Sequence, residues 1–302
     1  THTPTQSPTR TFTRTHTHTP TRTLTPTRTA TPTIAPELAA CAYVGGEEGT
    51  VYAISAQGPA TIRYRHRDDR CVVNALELTP DQRWLYVATQ ARDAASAADC
   101  QALQRIDVAT NQEHAPSRIP LPAVPRTLAF SPDGHWLYLG MDSALWVMDA
   151  ATRTLHTHIP FTSRPYHLVV SADGHWAYVA LQDRVQRLDL NTRQLAGVIP
   201  VPVLPNGGGG PLSHMVLSPT GTVLYVGVES GPVLYSIDLL TQMVSGTVSL
   251  PSVVHDVQVR PDGQVVYAAL ANGTVAVIDT VAMQLIGDCL LYTSPSPRDE
   301  KV

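Results

Sequence analysis

One unit of about forty residues recurs through most of this chain, and no other feature constrains the fold as strongly. Its clearest copy spans residues 128–150, where apolar runs flank a Ser131-Pro132-Asp133-Gly134 turn and a further run ends in Asp149. Two apolar runs joined across Asp-Gly predict a β-hairpin, because glycine takes the positive φ of a tight turn. Each copy therefore indicates a hairpin followed by a third strand.

The copies can be counted from landmarks that keep their distance from the turn. A tyrosine stands five residues after the third position of each turn, and the steps between these tyrosines are 52, 40, 47 and 42 residues. An aspartate closes the third run at Asp107, Asp149, Asp189, Asp238 and Asp279. A period of about forty residues with short strands predicts a β-propeller, in which each four-stranded blade buries its faces against its neighbours.

The stretches that begin at these tyrosines read Tyr86-Val87-Ala88, Tyr138-Leu139-Gly140, Tyr178-Val179-Ala180, Tyr225-Val226-Gly227 and Tyr267-Ala268-Ala269. They resemble the repeats of YVTN-repeat, lactonase-like β-propellers. The resemblance covers residues 41–288 and implies an all-β propeller of four-stranded blades. It also allows a lactonase-type hydrolase, although such repeats determine how blades are built rather than what the ring binds.

Six blades are predicted, of which the first and the last are incomplete. Blade 1 should contain strands at 41–45, 50–55 and 61–65 and lack its innermost strand. The later blades should span 74–121, 127–161, 167–201, 214–250 and 256–288. Ring propellers often complete such a blade with the other terminus, so we expect a fragment of a seven-bladed ring. Its open edge would favour aggregation.

Both ends of the chain are expected to lie outside the propeller, which leaves residues 37–288 for the folded region. In residues 1–33 threonine occupies every odd position except Ser7, and prolines recur between the threonines. This pattern predicts a disordered Thr/Pro-rich stalk over residues 1–36, like those of exported proteins; plain disorder without export is the alternative. Residues 289–302 resemble a translated sequencing adapter and are not expected to be native. We expect further residues before Thr1 and after Asp288.

The charge balance narrows the classes of partner. The chain has 25 acidic residues and 21 lysines and arginines, and without the two ends the balance is 23 to 15, a formal charge of −8. An acidic folded region argues against nucleic acid or an anionic membrane as a partner. Membrane attachment is therefore expected only through an unseen N-terminal anchor, and the location is predicted to be extracellular or on the cell surface.

The best candidate site lies at one repeat position, where each innermost strand begins. The loops at this end open on one face of a propeller, so these residues should surround the mouth of the central channel. The ligand-binding candidates are Asn74, Arg126, Tyr166, His167, Ser213, His214, His255 and Asp256. Imidazoles, a carboxylate and a guanidinium could bind an anionic or sugar-like ligand, ligate a metal or act in acid/base catalysis. A merely solvated channel is the alternative.

Other motifs give weaker signals. His156 and His158 have the spacing of two metal ligands on one strand face, but no third ligand is near in sequence, and a solvated edge is favoured. The run Gly207–Gly210 lacks the strand-loop-helix setting of a phosphate loop. Gly-x-Ser-x-Gly, His-Glu-x-x-His and Cys-x-x-Cys motifs do not occur. We therefore expect no cofactor and assign no catalytic residue.

Two further residue sets carry structural expectations. Cys71 and Cys100 lie in loops expected to open on the same face, so they could form a disulfide that closes a loop of about thirty residues; two unrelated thiols are the alternative. The second set is shared by three blades and should pack between blades rather than stack on a ligand. It comprises Trp84, Trp136 and Trp176.

The sequence thus predicts an exported or cell-surface β-propeller that binds a small molecule, a glycan or a protein at its channel mouth. The alternative is a lactonase-like hydrolase that uses the charged and histidine residues of the same mouth. A third hypothesis is a propeller that carries a haem or a metal on one of those histidines.

Overall fold

A computed structural model describes residues 41–45, 50–55, 61–65, 70–93, 100–110, 112–202, 211–229 and 231–290. All of these residues belong to the unit Ala35–Val302. The predicted stalk, and residues 291–302 of the predicted adapter segment, lie outside the described residues.

The described residues form twenty-three β-strands in six antiparallel sheets, which we number as blades 1 to 6. Blade 1 has three strands and each of the others has four. Blade 1 contains β1 (Cys41–Gly45), β2 (Thr50–Ser55) and β3 (Thr61–Arg65). Blade 2 contains β4 (Cys71–Leu78), β5 (Trp84–Ala91), β6 (Ala102–Asp107) and β7 (Glu113–Pro120). Blade 3 contains β8 (Pro125–Phe130), β9 (Trp136–Met141), β10 (Ala144–Asp149) and β11 (Thr154–Pro160).

The remaining three blades repeat this pattern with strands of similar length. Blade 4 contains β12 (His167–Val170), β13 (Trp176–Ala180), β14 (Arg184–Asp189) and β15 (Gln194–Pro200). Blade 5 contains β16 (Leu212–Leu217), β17 (Val223–Val228), β18 (Gly231–Asp238) and β19 (Met243–Ser249). Blade 6 contains β20 (Val254–Val259), β21 (Val265–Leu270), β22 (Thr274–Asp279) and β23 (Gln284–Leu290).

The first strand of each four-stranded blade lies innermost. Strand β8 contacts β4 on one side and β12 on the other, and β16 contacts β12 and β20 in the same way. The five four-stranded blades therefore follow one another in a ring about a central channel, which is the architecture of a β-propeller. The prediction of an all-β propeller built from four-stranded blades is confirmed.

The prediction of an incomplete last blade is wrong. Strand β23 pairs with β22 along its full length, and its last two pairs are Val275 with Cys289 and Thr274 with Leu290. These pairs lie two residues beyond the predicted end of the propeller at 288. The ladder is formed by backbone groups, so an outer strand can extend into residues of almost any type. Blade 1 does have three strands, with the predicted bounds.

The turn that ends each innermost strand is held by its own side chains. In blade 3 the backbone N–H of Trp136 donates to Ser131 Oγ at 2.9 Å, and that of His135 donates to Asp133 Oδ1 at 3.0 Å. Gly134 has a φ of 71°, which a residue without Cβ adopts readily. The blade 2 turn has Gln82 at this position, and it still takes a φ of 58°. The turn geometry thus persists where the glycine is lost.

The recurrent aspartate at the end of the third strand caps the turn to the outer strand. Asp149 Oδ1 accepts the backbone N–H of Thr152 at 2.7 Å, and Asp238 Oδ1 accepts that of Thr241 at 2.7 Å. These hydrogen bonds favour the charged form and keep the pKa of both carboxyl groups below its usual value. The aspartate repeat is therefore explained by the turn and does not indicate a functional site.

The hydrophobic core lies between blades. Each main cluster of buried residues draws from two neighbours, for example Val185 and Ile199 of blade 4 with Leu224 and Tyr235 of blade 5. Such clusters also join blade 2 to blade 3, blade 3 to blade 4 and blade 5 to blade 6. The core thus holds the innermost strands in fixed relative positions.

The three tryptophans are half-buried and pack against these clusters, as expected for residues between blades. Each also has a guanidinium over its ring. The carbon of the guanidinium lies 4.1 Å from the ring centroid for Arg105 over Trp84, 3.9 Å for Arg187 over Trp176 and 4.7 Å for Arg193 over Trp136. The ring faces are therefore occupied by arginines from within the protein.

Candidate functional site

The innermost strands β4, β8, β12, β16 and β20 enclose a central cavity of about 780 Å³. Its walls include backbone and side chains from every four-stranded blade, so it is the channel of the propeller. Five of the eight predicted site residues line it, and all five belong to strands that face the axis. They are Asn74, Arg126, His167, His214 and Asp256.

The innermost strands β4, β8 and β20 have a β-bulge near the channel mouth, whereas β12 does not. Asn74, Arg126 and His255 each have no partner in the ladder, because the pairing steps past them to the next residue. In β16 the irregularity spans Leu212 to Met215 and includes His214. A bulge adds a residue to one strand and redirects a side chain, which is why bulges are common beside functional sites.

Three predicted residues do not line the cavity. Tyr166 lies before β12, which begins its ladder without a bulge at His167, and Tyr166 packs instead against the core cluster of blades 4 and 5. His255 is exposed but is not among the lining residues. The side chain of Ser213 lies outside the described residues. The ligand-binding set stays a prediction, of which Tyr166 and His255 do not line this cavity.

Two channel residues form hydrogen bonds with the backbone of the neighbouring innermost strand. The amide of Asn74 donates to the carbonyl of Pro125 in blade 3. His167 Nδ1 accepts the backbone N–H of Met215 in blade 5 at 3.3 Å. The edge of an innermost strand has no ladder partner across the channel, so these side chains satisfy groups that water would otherwise have to bind. Asn74 and His167 thus have a structural role beside any role in binding.

His167 and His214 form a pair in the channel wall. Their ring centroids lie 5.1 Å apart at an angle of 53°. Burial, and then the proximity of His214, lowers the pKa of His167 to about 3. Burial also lowers the pKa of His214, although the carboxylate of Asp256 opposes the effect. Both imidazoles are therefore uncharged at neutral pH.

The hydrogen bonds of this pair decide what it offers a ligand. Because His167 Nδ1 accepts a hydrogen bond, the neutral ring carries its proton on Nε2. Nε2–H is then the donor that His167 keeps for another partner. Nδ1 of His214 is buried and has no hydrogen-bond partner among the described residues. The pair supplies hydrogen-bonding groups without charge.

Glu77 is a channel residue that the sequence reasoning missed. It lines the cavity from β4, and burial raises the pKa of its carboxyl group to about 7, opposed by a hydrogen bond from the backbone N–H of Phe130. The matching positions in blades 3, 4 and 5 are apolar, and blade 6 has Gln258. An acid between Leu76 and Leu78 in a repeat that is otherwise apolar was the signal that could have identified it.

The two charges at the channel mouth lie on different walls. Arg126 on β8 and Asp256 on β20 are both exposed and both line the cavity. Asp256 Oδ1 accepts the backbone N–H of the next residue, Val257, at 2.8 Å. The strands β12 and β16, which carry the uncharged histidine pair, lie between them in the order of blades.

A disulfide joins Cys71 to Cys100 beside this mouth. Cys71 opens β4, the strand that carries Asn74 and Glu77, and Cys100 precedes β6. The bond therefore ties the first channel strand of blade 2 to the chain that leads into its third strand.

The weaker candidates give no metal site. His156 lies edge-on to Trp136 with 5.5 Å between ring centroids, whereas His158 stacks on Trp146 at 4.8 Å. Within the described part of the chain no three His, Cys, Asp or Glu residues are grouped so that they could hold a metal ion. The run Gly207–Gly210 lies outside the described residues. Within the part of the chain that the structure describes, no helix is both long and apolar enough to cross a membrane.

Comparison with known proteins identifies the architecture and no family. No family model matches this chain, and no curated protein matches it. Among solved structures, the chain is similar to Kuenenia stuttgartiensis hydrazine synthase, with a TM-score of 0.58 and 19% sequence identity. The match covers 70% of this chain and 63% of that chain, so it spans less than two thirds of the hydrazine synthase chain. At this identity the similarity shows a β-propeller fold alone.

Proposed function

We propose that this protein is a binding module that takes a small polar molecule into the mouth of its propeller channel. The observation that carries the proposal is the cavity of about 780 Å³, whose polar lining combines exposed charges with an uncharged histidine pair. Small-molecule sites in proteins are typically cavities of about 300–1,000 Å³ with a few convergent polar groups. The channel has that size and that kind of lining.

The lining groups support binding by hydrogen bonds. The guanidinium of Arg126 is exposed and offers several donors in a planar arrangement. His167 keeps its Nε2–H, because its other nitrogen is bonded to the backbone of Met215. Asp256 accepts a hydrogen bond through one oxygen, and its exposed carboxylate retains acceptor capacity. Donors and acceptors thus surround one space.

The same geometry gives less support to a lactonase-type hydrolase. A general base works best when its pKa is near the pH at which the enzyme operates. His167 has a pKa of about 3 and already uses Nδ1 as an acceptor, so it would be a weak base at neutral pH. Glu77, with a pKa of about 7, is the channel group whose pKa would suit a general base, so a hydrolase that uses Glu77 is the second candidate and binding is proposed first.

We infer further that the protein is exported or displayed on a cell surface and belongs to the YVTN-like propellers. The disulfide between Cys71 and Cys100 supports an oxidising location, where such bonds persist. The Thr/Pro-rich segment at 1–36 supports a stalk that presents the propeller. The three-stranded blade 1 supports a ring that is completed by another strand, as in a seven-bladed propeller.

The binding proposal can be tested by obstructing the channel. Gln258→Trp adds a large side chain at an exposed position of the channel wall, and Val198→Trp adds the same side chain at a position of the outer strand β15 that is 48% exposed. Saturation-transfer NMR with a panel of sugars, carboxylates, amines and amino acids would report binding to each protein. We expect the parent and Val198→Trp to bind the same panel members, and Gln258→Trp to lose them.

Two results would overturn the binding proposal. One is that no panel member binds the parent. The other is that Gln258→Trp binds as well as the parent while its circular dichroism spectrum matches that of the parent, because the channel would then not be the site.

A further inference from the structure

We propose that the ligand of this channel is zwitterionic, with a carboxylate directed to Arg126 and an ammonium group directed to Asp256. This inference rests on the proposed function and specifies the class of ligand. It is carried by the separation of one positive and one negative group across a single cavity.

Neither charge is used by the protein for an ion pair. Side-chain ion pairs at 2.7 Å join Arg184 to Asp183 and Arg260 to Asp262, and none of these residues lines the cavity. Arg126 and Asp256 form no ion pair within the described residues. An exposed guanidinium at a rigid bulge and an exposed carboxylate on another wall are both available to a ligand.

The channel wall formed by β8, which carries Arg126, suits a carboxylate. The guanidinium of Arg126 is planar and can donate two parallel hydrogen bonds to both oxygens of one carboxylate. The bulge at Arg126 places the side chain at the entrance of β8, beside the buried Thr127. An anionic group that enters the mouth therefore has one defined partner.

The channel wall formed by β20, which carries Asp256, suits an ammonium group. The side chain of Asp256 is exposed and lines the cavity. The mouth therefore has a carboxylate on its blade 6 wall and a guanidinium on its blade 3 wall, so it is polarised.

The histidine pair lies between these two walls and favours a ligand that carries both charges. His167 and His214 are uncharged at neutral pH, so they add no net charge between the two walls. A simple anion gains from Arg126 but meets the carboxylate of Asp256, and a simple cation gains from Asp256 but meets Arg126. A zwitterion of suitable length satisfies both walls and leaves its uncharged middle beside the imidazoles.

Isothermal titration calorimetry on the full chain tests this inference. The ligands are glycine, β-alanine, γ-aminobutyrate, δ-aminovalerate and ε-aminohexanoate, compared with butyrate and butylammonium. We expect one chain length to bind best, about 10-fold or more tighter than either single-charge compound. Arg126→Gln and Asp256→Asn should each remove this advantage.

The control variants change Arg184 and Asp183, which form an ion pair outside the channel. Arg184→Gln and Asp183→Asn make the same chemical changes at exposed positions and should leave the affinity within about 2-fold of the parent. Thermal unfolding of all four variants shows whether an affinity change reflects lost folding. Equal affinity of Arg126→Gln for the best amino acid would contradict the inference.

The outcomes separate this inference from the proposed function. If neutral sugars or single-charge compounds bind as tightly as every amino acid, and Gln258→Trp abolishes that binding, the channel is a binding site but its ligand is not zwitterionic. If nothing binds the parent, both proposals fail.

Discussion

The two ends of each blade are made by the same strands but differ in how they vary from blade to blade. At the turn end, Ser131 and Asp133 of blade 3 make the same bonds as Ser171 and Asp173 of blade 4. At the channel mouth, the matching positions hold an amide, a guanidinium, imidazoles and a carboxylate. Uniform chemistry at one end builds the blade, and variable chemistry at the other end is where the blades can differ in function.

The largest expected effect concerns the covalent bond at the mouth end. The variant Cys71→Ser/Cys100→Ser should lose about 3 kcal/mol of unfolding free energy, because the disulfide closes a loop with a sequence separation of 29. Urea denaturation followed by circular dichroism measures the change. Cys289→Ser, at an exposed position, is the control and should change stability by less than about 0.5 kcal/mol. An equal effect of both variants would mean that the bond does not restrain the mouth.

The next effect distinguishes His167 from Glu77, two of the titratable groups of the channel, by the pH dependence of stability. Below pH 6.5 the unfolded imidazole of His167 binds a proton that the folded one, with a pKa of about 3, does not, so stability falls as the pH falls. Between pH 4.5 and 7 the folded Glu77 keeps a proton that the unfolded chain has lost, so stability falls as the pH rises. The two slopes oppose each other in the parent.

Removing one group should therefore reveal the other. In Glu77→Gln, stability should rise by about 1 kcal/mol per pH unit between pH 4.5 and 6.5, whereas in His167→Asn it should fall over the same interval. Urea midpoints at several pH values measure the slopes. If both variants follow the pH profile of the parent, neither group is buried in the channel wall.

The smallest effect tests the turn end. Asp133→Ala removes the acceptor for the backbone N–H of His135 and for the hydroxyl of Ser131 and should cost about 1 kcal/mol. Asp183→Ala, at an exposed ion pair of the opposite end, should cost less than about 0.5 kcal/mol. Thermal unfolding of the two variants compares them directly. A larger loss of stability for Asp183→Ala than for Asp133→Ala would contradict the view that the turn end stabilises the blade and the mouth end is free to vary.

Much of the fold could be predicted because the turns carry their own chemistry. The Asp-Gly turns and the tyrosine spacing located the blades, and the bounds of β1, β2 and β3 agree with the structure. The end of blade 6 could not be predicted, because backbone pairing continues through Cys289 and Leu290 whatever their side chains are. The number of blades in the intact ring stays a prediction.

The sequence could predict where in the repeat the candidate site lies, but not which side chains line the cavity. Asn74 and Arg126 were found because they share one repeat position, and His214 because it stands at the next one, but Tyr166 at the first position packs into the core. The bulges depend on local pairing that the sequence does not display. Glu77 was missed because an isolated acid in one blade does not form a pattern, and its raised pKa follows from packing.

The central claim is that neighbouring innermost strands bring His167 and His214 together in the wall of one channel. NMR on histidine-labelled protein, assigned with His167→Asn and His214→Asn, tests it most directly. We predict a nuclear Overhauser effect between the two rings, whose centroids lie 5.1 Å apart, and ring nitrogen shifts of His167 that stay those of a neutral imidazole at pH 5. Absence of that contact, together with a His167 ring that is protonated at pH 5, would contradict the account.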